Sequence, residues 1–344
     1  MPDQKTNAGN EGDVMKHPTL QKVTDHLSDS KSEFWYVETH AAYPYYFLPL
    51  KGAWTGGIGH LASTLKDDQA IPRPLRDYVA IAYHDKLGVT EGFPDKRTYL
   101  GSAPQVFHIL KDKKKRIRMT LFEMAAEPTD QLLDYFEAQG AQTVLVRTGN
   151  DAGHVATFLR KWWDAAVEKA HDDDDLVMVV QGDSWQLAPC LWEKSGENRN
   201  PDLVFVDPFK LNDPYGQPQQ LLCSLGQSNI PFICWTPLFC VPASNGSKWP
   251  AAKWSFESEQ GRTGDQGAQA FANECKAKGY QITSCCWDGS AGARQKMYGC
   301  QLALGNVFSD GFTANDIWEL NCQEEDQGKP GFRWWDKYYV QVQR

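Results

Sequence analysis

The sequence lacks the features that would place it in a membrane or in the secretory pathway. Its richest apolar run, IPFICWTPLFCVPA from Ile230, is interrupted by prolines and falls short of the roughly 20 residues that a membrane-spanning helix needs. The first residues, MPDQKTNAGNEGD, contain no apolar segment of the kind that secretory signals carry. Because 41% of the 344 residues are apolar, the chain can still bury a full core. We therefore expect a globular, cytoplasmic protein with no membrane contact.

Cysteine pairs at metal-binding spacing are also missing. The nine cysteines are odd in number, and none of them forms a C-x-x-C pair, which argues against both a disulfide framework and a structural zinc site. Cys285 and Cys286 are adjacent, but successive residues of a strand point to opposite faces and do not readily share one metal ion. We therefore predict no metal site and interpret most cysteines as buried thiols.

Positive charge is in the minority. The sequence has 35 Lys and Arg residues against 44 Asp and Glu residues, a net charge of -9, so the field of the whole molecule repels a phosphate backbone. One run, KDKKKRIR from Lys111 to Arg118, is strongly basic. It either contacts phosphate or, as we favour, forms a solvated loop before a strand. The charge balance argues against tight nucleic-acid binding.

Several catalytic signatures are absent as well. The sequence contains no G-x-S-x-G elbow, no G-x-x-x-x-G-K-[ST] loop and no H-E-x-x-H pair. The segment GIGHLA from Gly57 matches the dinucleotide fingerprint, and Asp77 follows at a suitable distance. That fingerprint requires a strand directly before it, however, and Pro44, Pro49 and Gly52 interrupt the preceding residues. We therefore reject a nicotinamide site.

What the sequence does contain is a regular alternation of apolar runs and amphipathic segments. The runs begin at Phe34, Arg118, Thr143, Leu176, Asp202, Pro231, Gln281 and Cys300. Runs that are apolar throughout and rich in Val, Ile and aromatic residues are typical of strands buried on both faces. Segments between them, such as EPTDQLLDYFEAQG, have helical spacing. The alternation predicts a doubly wound α/β sheet.

Two regions depart from this alternation, although neither marks a domain boundary. Residues 53–98 contain Pro72, Pro74 and the helically spaced segment LRDYVAIAYHDKL, which predicts a helical insertion after the first strand. Residues 242–267 are rich in Ser, Gly, Gln and Trp and are interpreted as a long mobile loop. We therefore predict one domain, residues 1–344, that carries these two embellishments and ends in a Trp-rich tail.

Four predicted strands end in polar residues that include a carboxylate. These ends are Glu38-Thr39-His40, Glu123, Gly182-Asp183-Ser184 and Asp207. In open α/β sheets a ligand lies beyond the carboxyl ends of the strands, where the direction of winding changes. The series therefore predicts a site for a hydroxyl-rich or positively charged ligand across this edge of the sheet.

The N-terminal motif AGNEGDVMKH, Ala8 to His17, resembles the opening signature of the RlmJ-type 23S ribosomal RNA adenine-N6 methyltransferases, which use S-adenosyl-L-methionine (SAM). The resemblance continues in order through ETHA from Glu38 and GSAP from Gly101, and then through the strand-end acids. It extends from about Asn7 to Val307. It implies a Rossmann-like class I methyltransferase sheet with a helical insertion after the first strand.

The resemblance also implies roles for individual residues. The implied SAM contacts are His17, His40, Ser102, Glu123, Asp183 and Ser184. Glu123 suits ribose hydroxyls and Asp183 suits the adenine amino group, because carboxylates accept hydrogen bonds. Asp207 falls at the start of the family's catalytic D-P-P-Y motif, and Lys16, Phe209 and Lys210 are the implied substrate contacts.

Two departures from the family make the methyl acceptor an open question. The chain has D-P-F-K from Asp207 where the family has D-P-P-Y, and the loop after the first strand reads AAYPYY from Ala41 instead of being glycine-rich. The D-P-F sequence also resembles the three-Cys-motif partner proteins, a related group of predicted methyltransferases. We expect a SAM-dependent methyltransferase with an RNA adenine as the leading acceptor. The alternatives are a small-molecule or protein amine as acceptor, or a binding protein that keeps the fold without transferring a methyl group.

Overall fold

A computed structural model of the chain describes residues 8–49, 52–65, 73–84, 97–148, 152–171, 174–192, 200–208, 217–241, 253–255, 275–287, 297–307, 332–335 and 338–343. The α-helices in these ranges are α1 (Glu11–Ser28), α2 (Ile58–Thr64), α3 (Arg73–Ala82), α4 (Ser102–Asp112), α5 (Ala126–Ala138), α6 (Ala152–Lys169), α7 (Ser184–Leu187) and α8 (Gln217–Gln227). Short 3₁₀ helices lie at Ala53–Thr55 and Ala188–Leu191.

The first half of the chain contains strands β1 (Glu33–Glu38), β2 (Tyr45–Leu48), β3 (Tyr83–His84), β4 (Arg97–Leu100), β5 (Arg116–Glu123), β6 (Gln142–Arg147) and β7 (Leu176–Gln181). The second half contains β8 (Leu203–Val206), β9 (Phe232–Val241), β10 (Lys253–Ser255), β11 (Gln281–Trp287), β12 (Met297–Gly305), β13 (Phe332–Trp335) and β14 (Tyr338–Gln343). Each apolar run of the sequence coincides with one of these strands.

A large sheet with a parallel centre organises the fold. Its order is β13-β14-β11-β12-β9-β8-β1-β5-β7-β6. The strands from β9 to β6 pair in parallel. Strand β12 is antiparallel to both β9 and β11, so β11 runs in the direction of the parallel strands. With helices on both faces, the architecture is a Rossmann-like α/β fold, as the sequence predicts.

Helices cover the two faces of the sheet because side chains alternate along each strand. On one face, Phe34 and Val177 belong to a buried cluster with Phe136 of α5. On the other, Trp35 stacks on Trp163 of α6, with ring centroids 4.8 Å apart. Burying such large aromatic and aliphatic side chains is worth about 1.5–3 kcal/mol each.

Strand β6 differs from the other predicted strands. The run from Thr143 has the composition of a strand buried on both faces, but of the six residues in β6 only Val146 is buried. The prediction of burial is wrong here because β6 is the last strand at its end of the sheet in the described structure. An apolar run does not distinguish an edge strand from an interior one.

The residues between β1 and α4 form a small subdomain. It contains α2 and α3, and an antiparallel sheet in the order β2-β4-β3 that the proline-containing pattern does not predict. A 3₁₀ helix, Ala53–Thr55, precedes the GIGHLA segment, so the fingerprint lacks its strand there. Of the segment 242–267, only β10 lies within the described residues.

The basic run from Lys111 to Arg118 spans the end of α4, a turn and the start of β5, so it is not the solvated loop that we predicted, and it faces acidic side chains. Lys113 contacts Asp25 at 2.7 Å and Asp29 at 2.5 Å, and Arg118 contacts Glu33 at 3.1 Å. These pairings leave less positive charge for phosphate than the sequence suggests. Within the described ranges, no helix has the length and apolar content needed to cross a membrane.

Candidate functional site at the carboxyl edge of the sheet

The N-terminal motif forms the start of helix α1. The Asn10 side chain accepts a hydrogen bond from the Asp13 amide (3.2 Å), and the Asp13 carboxylate accepts one from the Gly9 amide (2.6 Å). Gly9 has a φ of +73°, which glycine adopts without the steric penalty of a side chain. This is an N-cap arrangement, and it places Lys16 and His17 one turn into the helix.

Lys16 connects helix α1 to the end of strand β8. Its Nζ lies 2.7 Å from the carboxylate of Asp207 and 3.0 Å from that of Asp13. The same ammonium lies 4.6 Å from the ring centroid of Trp235 in β9. The side chains of Lys16 and Asp207 are only 11% and 12% exposed, so the ion pair lies in a largely dry environment.

Burial and charge act in opposite directions on this cluster. Burial raises the pKa of Asp207 above its ordinary value, and the Lys16 ammonium opposes that rise. Burial also disfavours the ionised form of Asp13, but nearby positive charge, chiefly that of Lys16, together with hydrogen bonds from Lys16 and the Gly9 amide, lowers the pKa of Asp13. The two carboxylates in turn raise the pKa of Lys16 despite its burial. One ammonium therefore stabilises two carboxylates.

Glu38, at the end of β1, is a second acid beside this cluster. Its side chain is fully buried and accepts hydrogen bonds from the Ser102 hydroxyl and from the Tyr36 hydroxyl, the latter at 2.9 Å. Burial raises the pKa of Glu38 to about 8, and the negative charge of Asp207 contributes to the rise. Glu38 is therefore mainly protonated at neutral pH, which limits the negative charge near Asp207.

The protonation of Glu38 predicts how stability changes with pH. Because the pKa of about 8 in the folded protein exceeds the ordinary 4.5, stability is lost as pH rises between these values. The loss is worth up to about 5 kcal/mol. We expect Glu38→Gln to remove it, so that the variant is more stable than the native chain at pH 9. Urea unfolding from pH 5 to pH 9 measures this.

A matched control for that measurement is Glu33→Gln, at the other end of the same strand. It should keep the pH slope of the native chain. If the Glu38→Gln variant showed the same slope as the control, Glu38 would be ionised in the folded protein and the assignment of its proton would be wrong.

The loop after β1 closely approaches the start of helix α4. The Gly101 amide donates to the carbonyl of Pro44 (2.9 Å), and a Cβ on Gly101 would lie 2.4 Å from the carbonyl oxygen of Tyr43. Ala42, in the same loop, has a φ of +52°, a conformation that favours glycine. This loop therefore follows a tight path although it carries Ala41 and Ala42 instead of glycines.

Glu123, at the end of β5, holds that loop. Its carboxylate accepts hydrogen bonds from the amides of Ala42 (3.0 Å) and Ala125 (2.8 Å). Burial raises its pKa, although these hydrogen bonds favour the ionised form. Each carboxylate oxygen has two acceptor positions, so Glu123 can still accept hydrogen bonds from a ligand.

His40 and the residues after β7 form a third group. The Asp183 side chain caps α7 by accepting from the amide of Trp185 (3.0 Å). His40 contacts the Thr39 hydroxyl through Nδ1 at 2.7 Å and the Ser184 hydroxyl through Nε2 at 3.5 Å. Burial lowers the pKa of His40 to about 3, so the ring is neutral and offers hydrogen bonds without charge.

His17 lies deeper than the other predicted site residues. Its Nδ1 is 2.5 Å from the Tyr99 hydroxyl and 3.3 Å from the side-chain nitrogen of Gln105. Its ring stacks on Tyr99 and meets Tyr78 and Phe205 edge-on. Burial lowers its pKa to about 3. In this structure His17 packs in the core, and its contact with a cofactor stays a prediction.

Most of the predicted residues either follow neighbouring strands at one edge of the large sheet or, like Lys16 and Ser102, contact the acids that end those strands. The described members of this edge are Lys16, His40, Ser102, Glu123, Asp183, Ser184 and Asp207. Phe209 and Lys210 lie outside the described residues. Sequence reasoning missed Asp13 and Trp235. The spacing of Asp13 and Lys16, three residues apart on a helix, signals the first, whereas no local pattern signals the second.

These features define a Rossmann-like α/β protein with buried acids at the carboxyl ends of its parallel strands. No protein-family model matches the sequence, and no curated protein sequence matches it. Among solved structures, the chain is similar to protein LPL1258 from Legionella pneumophila, whose description includes the family-model label DUF519. The TM-score is 0.56 at 14% identity, over 98% of this chain and 97% of that one. At this identity the similarity shows a shared fold.

Proposed function

We propose that the chain is a SAM-dependent methyltransferase that acts on an amine, with Asp207 as the group that engages the acceptor. The observation that carries the proposal is the buried Lys16–Asp207 ion pair at the end of β8. It lies on the same sheet edge as Glu123 and Asp183, which end β5 and follow β7. Glu123 and Asp183, which could bind the nucleoside of SAM, and Asp207, which could bind an amine, therefore lie at the same edge of the sheet.

The strand order supports this proposal. Seven strands lie in the order β7-β5-β1-β8-β9-β12-β11, and β12 alone among them is antiparallel. A seven-stranded sheet with its antiparallel strand next to one end is the arrangement expected of the class I methyltransferase sheet. Strands β6 at one end and β14 and β13 at the other extend it in this chain.

The chemistry of the acids fits SAM. Glu123 has acceptor capacity for ribose hydroxyls beyond its two backbone hydrogen bonds. Asp183 uses one oxygen to cap α7, and the carboxylate keeps acceptor positions for an adenine amino group. When bound, SAM supplies a methyl group on a cationic sulfur, which is ready for transfer. The protein then has to position the acceptor nitrogen rather than activate the methyl group.

Asp207 is suited to that positioning. Its carboxylate accepts a hydrogen bond from an amine N–H and so orients the lone pair of the nitrogen. Burial raises the pKa of Asp207, and the charge and hydrogen bond of Lys16 oppose that rise. Protonated Glu38 adds no charge beside it. An adenine amine of RNA is the first acceptor to test because of the family resemblance. Amines of small molecules or proteins are the second class, which the net charge of -9 favours.

One observation favours a second candidate, a protein that binds SAM without transferring its methyl group. The Asp207 carboxylate already bonds to Lys16 at 2.7 Å, and both side chains are largely buried. An acceptor amine must compete with that ammonium or bind the remaining acceptor positions. A binding protein without activity would show SAM affinity but no methyl transfer to any amine.

Calorimetric titration with SAM tests the proposal. We expect the native chain to bind SAM and Asp183→Ala to bind it about 10- to 100-fold more weakly, since a hydrogen bond to a charged group contributes about 1.5–3 kcal/mol. Asp183→Ser keeps a cap on α7 and should weaken binding similarly. The exposed Asp134→Ala on α5 is the control. Absence of SAM binding to the native chain would refute the proposal.

A further inference from the structure

Within the described residues, the outer edge of strand β6 has backbone groups that no strand pairs with. The amides of Gln142 and Thr148 donate to the carbonyls of Asp175 and Gln181 on the β7 side. Since alternate residues of a strand point their backbone groups to opposite sides, the amides and carbonyls of Thr143, Leu145 and Arg147 point outward. In the described structure, no strand pairs with them. Such an edge is a template for pairing with another strand.

Apolar side chains accompany this edge. Leu145 is 38% exposed and Trp162 of α6 is 36% exposed, and they are two of three large apolar side chains exposed in the described ranges. They line a groove of about 470 Å³ together with Val144, Val146 and Ala166. An open strand edge beside an apolar groove is typical of an interaction surface.

Opposite charges lie near the two ends of β6, so that two antiparallel copies of the strand would bring a cation of one copy beside an anion of the other. Arg147 lies at the end of the strand and contacts Asp130 of α5 at 2.8 Å. Glu137, also on α5, accepts a hydrogen bond from the Thr143 hydroxyl. Both Arg147 and Glu137 are exposed. The strand therefore carries a cation near one end and an anion near the other.

We propose that the β6 edge is the interface of a homodimer, in which β6 of one copy pairs antiparallel with β6 of a second copy about a two-fold axis at Leu145. In this register Leu145 faces Leu145 of the second copy, and Thr143 faces Arg147. Each Arg147 then lies beside Glu137 of the other copy. A register centred on Arg147 would instead place two guanidinium groups together, which is unfavourable.

The alternating direction of the backbone groups along β6 supports the same register. Residues with outward backbone groups pair with one another, because hydrogen-bonded pairs in an antiparallel ladder exchange both bonds. Val144 then faces Val146 of the second copy on the side covered by Trp162. The pairing would join the two large sheets into one, and a two-fold interface of this kind uses the same patch on both copies. This inference is independent of the proposed methyl transfer.

Sedimentation velocity over a concentration series tests the proposal. We expect the native chain to dimerise. Leu145→Asp should raise the dissociation constant of the dimer at least tenfold, because it places two carboxylates at the two-fold axis. Arg147→Glu should weaken the dimer, and adding Glu137→Arg to it should restore most of the loss. The proposal would be overturned if the native chain stayed monomeric at the highest concentration of the series. It would also be overturned if Leu145→Asp left the dissociation constant of the dimer unchanged.

Cysteine cross-linking tests the register. Hydrogen-bonded pairs in an antiparallel ladder have Cα atoms about 5.5 Å apart, which is within reach of a disulfide. Leu145→Cys should therefore form a disulfide-linked dimer under oxidising conditions. Thr143→Cys should not, because Arg147 of the other copy faces it. The native chain controls for its own cysteines, and circular dichroism confirms that each variant folds. A cross-link through Thr143→Cys instead would reject the axis at Leu145.

Discussion

Replacing Asp207 with asparagine is expected to lower the rate of methyl transfer by about 10²- to 10⁴-fold, the usual contribution of a positioned acid or base. The asparagine side chain has the same size, but one carboxylate oxygen is replaced by an NH₂ group. That group donates hydrogen bonds and therefore repels the N–H of the amine that receives the methyl group. SAM affinity should change by less than about threefold, because the adenosine contacts are assigned to other strands. Transfer of labelled methyl from SAM to total RNA and to a metabolite extract measures the rate.

The same strand provides the control for this prediction. Asp202, before the start of β8, accepts a hydrogen bond from the Trp35 amide (2.7 Å) and pairs with Lys31 (2.8 Å) at the opposite edge of the sheet. Asp202→Asn should therefore leave transfer within about twofold of the native rate. Transfer by the Asp207→Asn variant at the native rate would remove Asp207 from the mechanism.

The pH dependence of transfer adds a second readout for Asp207. Burial raises the pKa of its carboxyl, so the ionised form is lost at a higher pH than for an ordinary aspartate. Activity should fall as pH is lowered through that raised pKa. The fall should be absent from the residual activity of Asp207→Asn, which has no carboxylate to protonate.

Lys16→Met is expected to lower the free energy of unfolding by about 3–5 kcal/mol. Methionine has a similar length, but it leaves the carboxylates of Asp13 and Asp207 buried without their counterion, and removing one partner of a buried ion pair has this cost. Denaturant titration at pH 7 measures the loss. The loss should shrink toward pH 4, because protonation of the two acids removes the uncompensated charge.

A triple variant separates charge from packing. Adding Asp13→Asn and Asp207→Asn to Lys16→Met removes both carboxylates, so most of the lost stability should return. If the triple variant were no more stable than Lys16→Met, the loss would come from packing against Trp235 rather than from charge. Equal stability of Lys16→Met and the native chain would show that the ion pair is solvated.

The sequence predicts the strand framework well because the strands are apolar over most of their length. The segment DLVFVDPF illustrates this. Its apolar centre is β8, buried throughout, and the acids flanking it lie at opposite edges of the sheet. Of these two flanking acids, Asp207 pairs with Lys16, whereas Asp202 accepts a hydrogen bond from the backbone amide of Trp35. Composition alone does not distinguish these two roles, because both acids flank the same strand.

The parts of the site that sequence reasoning missed depend on contacts between distant segments. Trp235 reaches the Lys16 ammonium from β9, and the contact of Glu38 with Ser102, two residues that the sequence named separately, joins the end of β1 to the start of α4. The position of β6 at the edge of the sheet also depends on distant segments, because it is set by which strands the rest of the chain places beside β6. Such information is set by the tertiary fold and not by local periodicity.

The contact between Lys16 and Asp207 also limits when the site can form during synthesis. The two residues are separated by 191 positions in the chain. At about 5–20 residues per second, Lys16 is added to the chain some 10–40 s before Asp207. During that interval the Lys16 ammonium has no Asp207 to pair with. The N-terminal helix can therefore complete its contact with the end of β8 only late in synthesis.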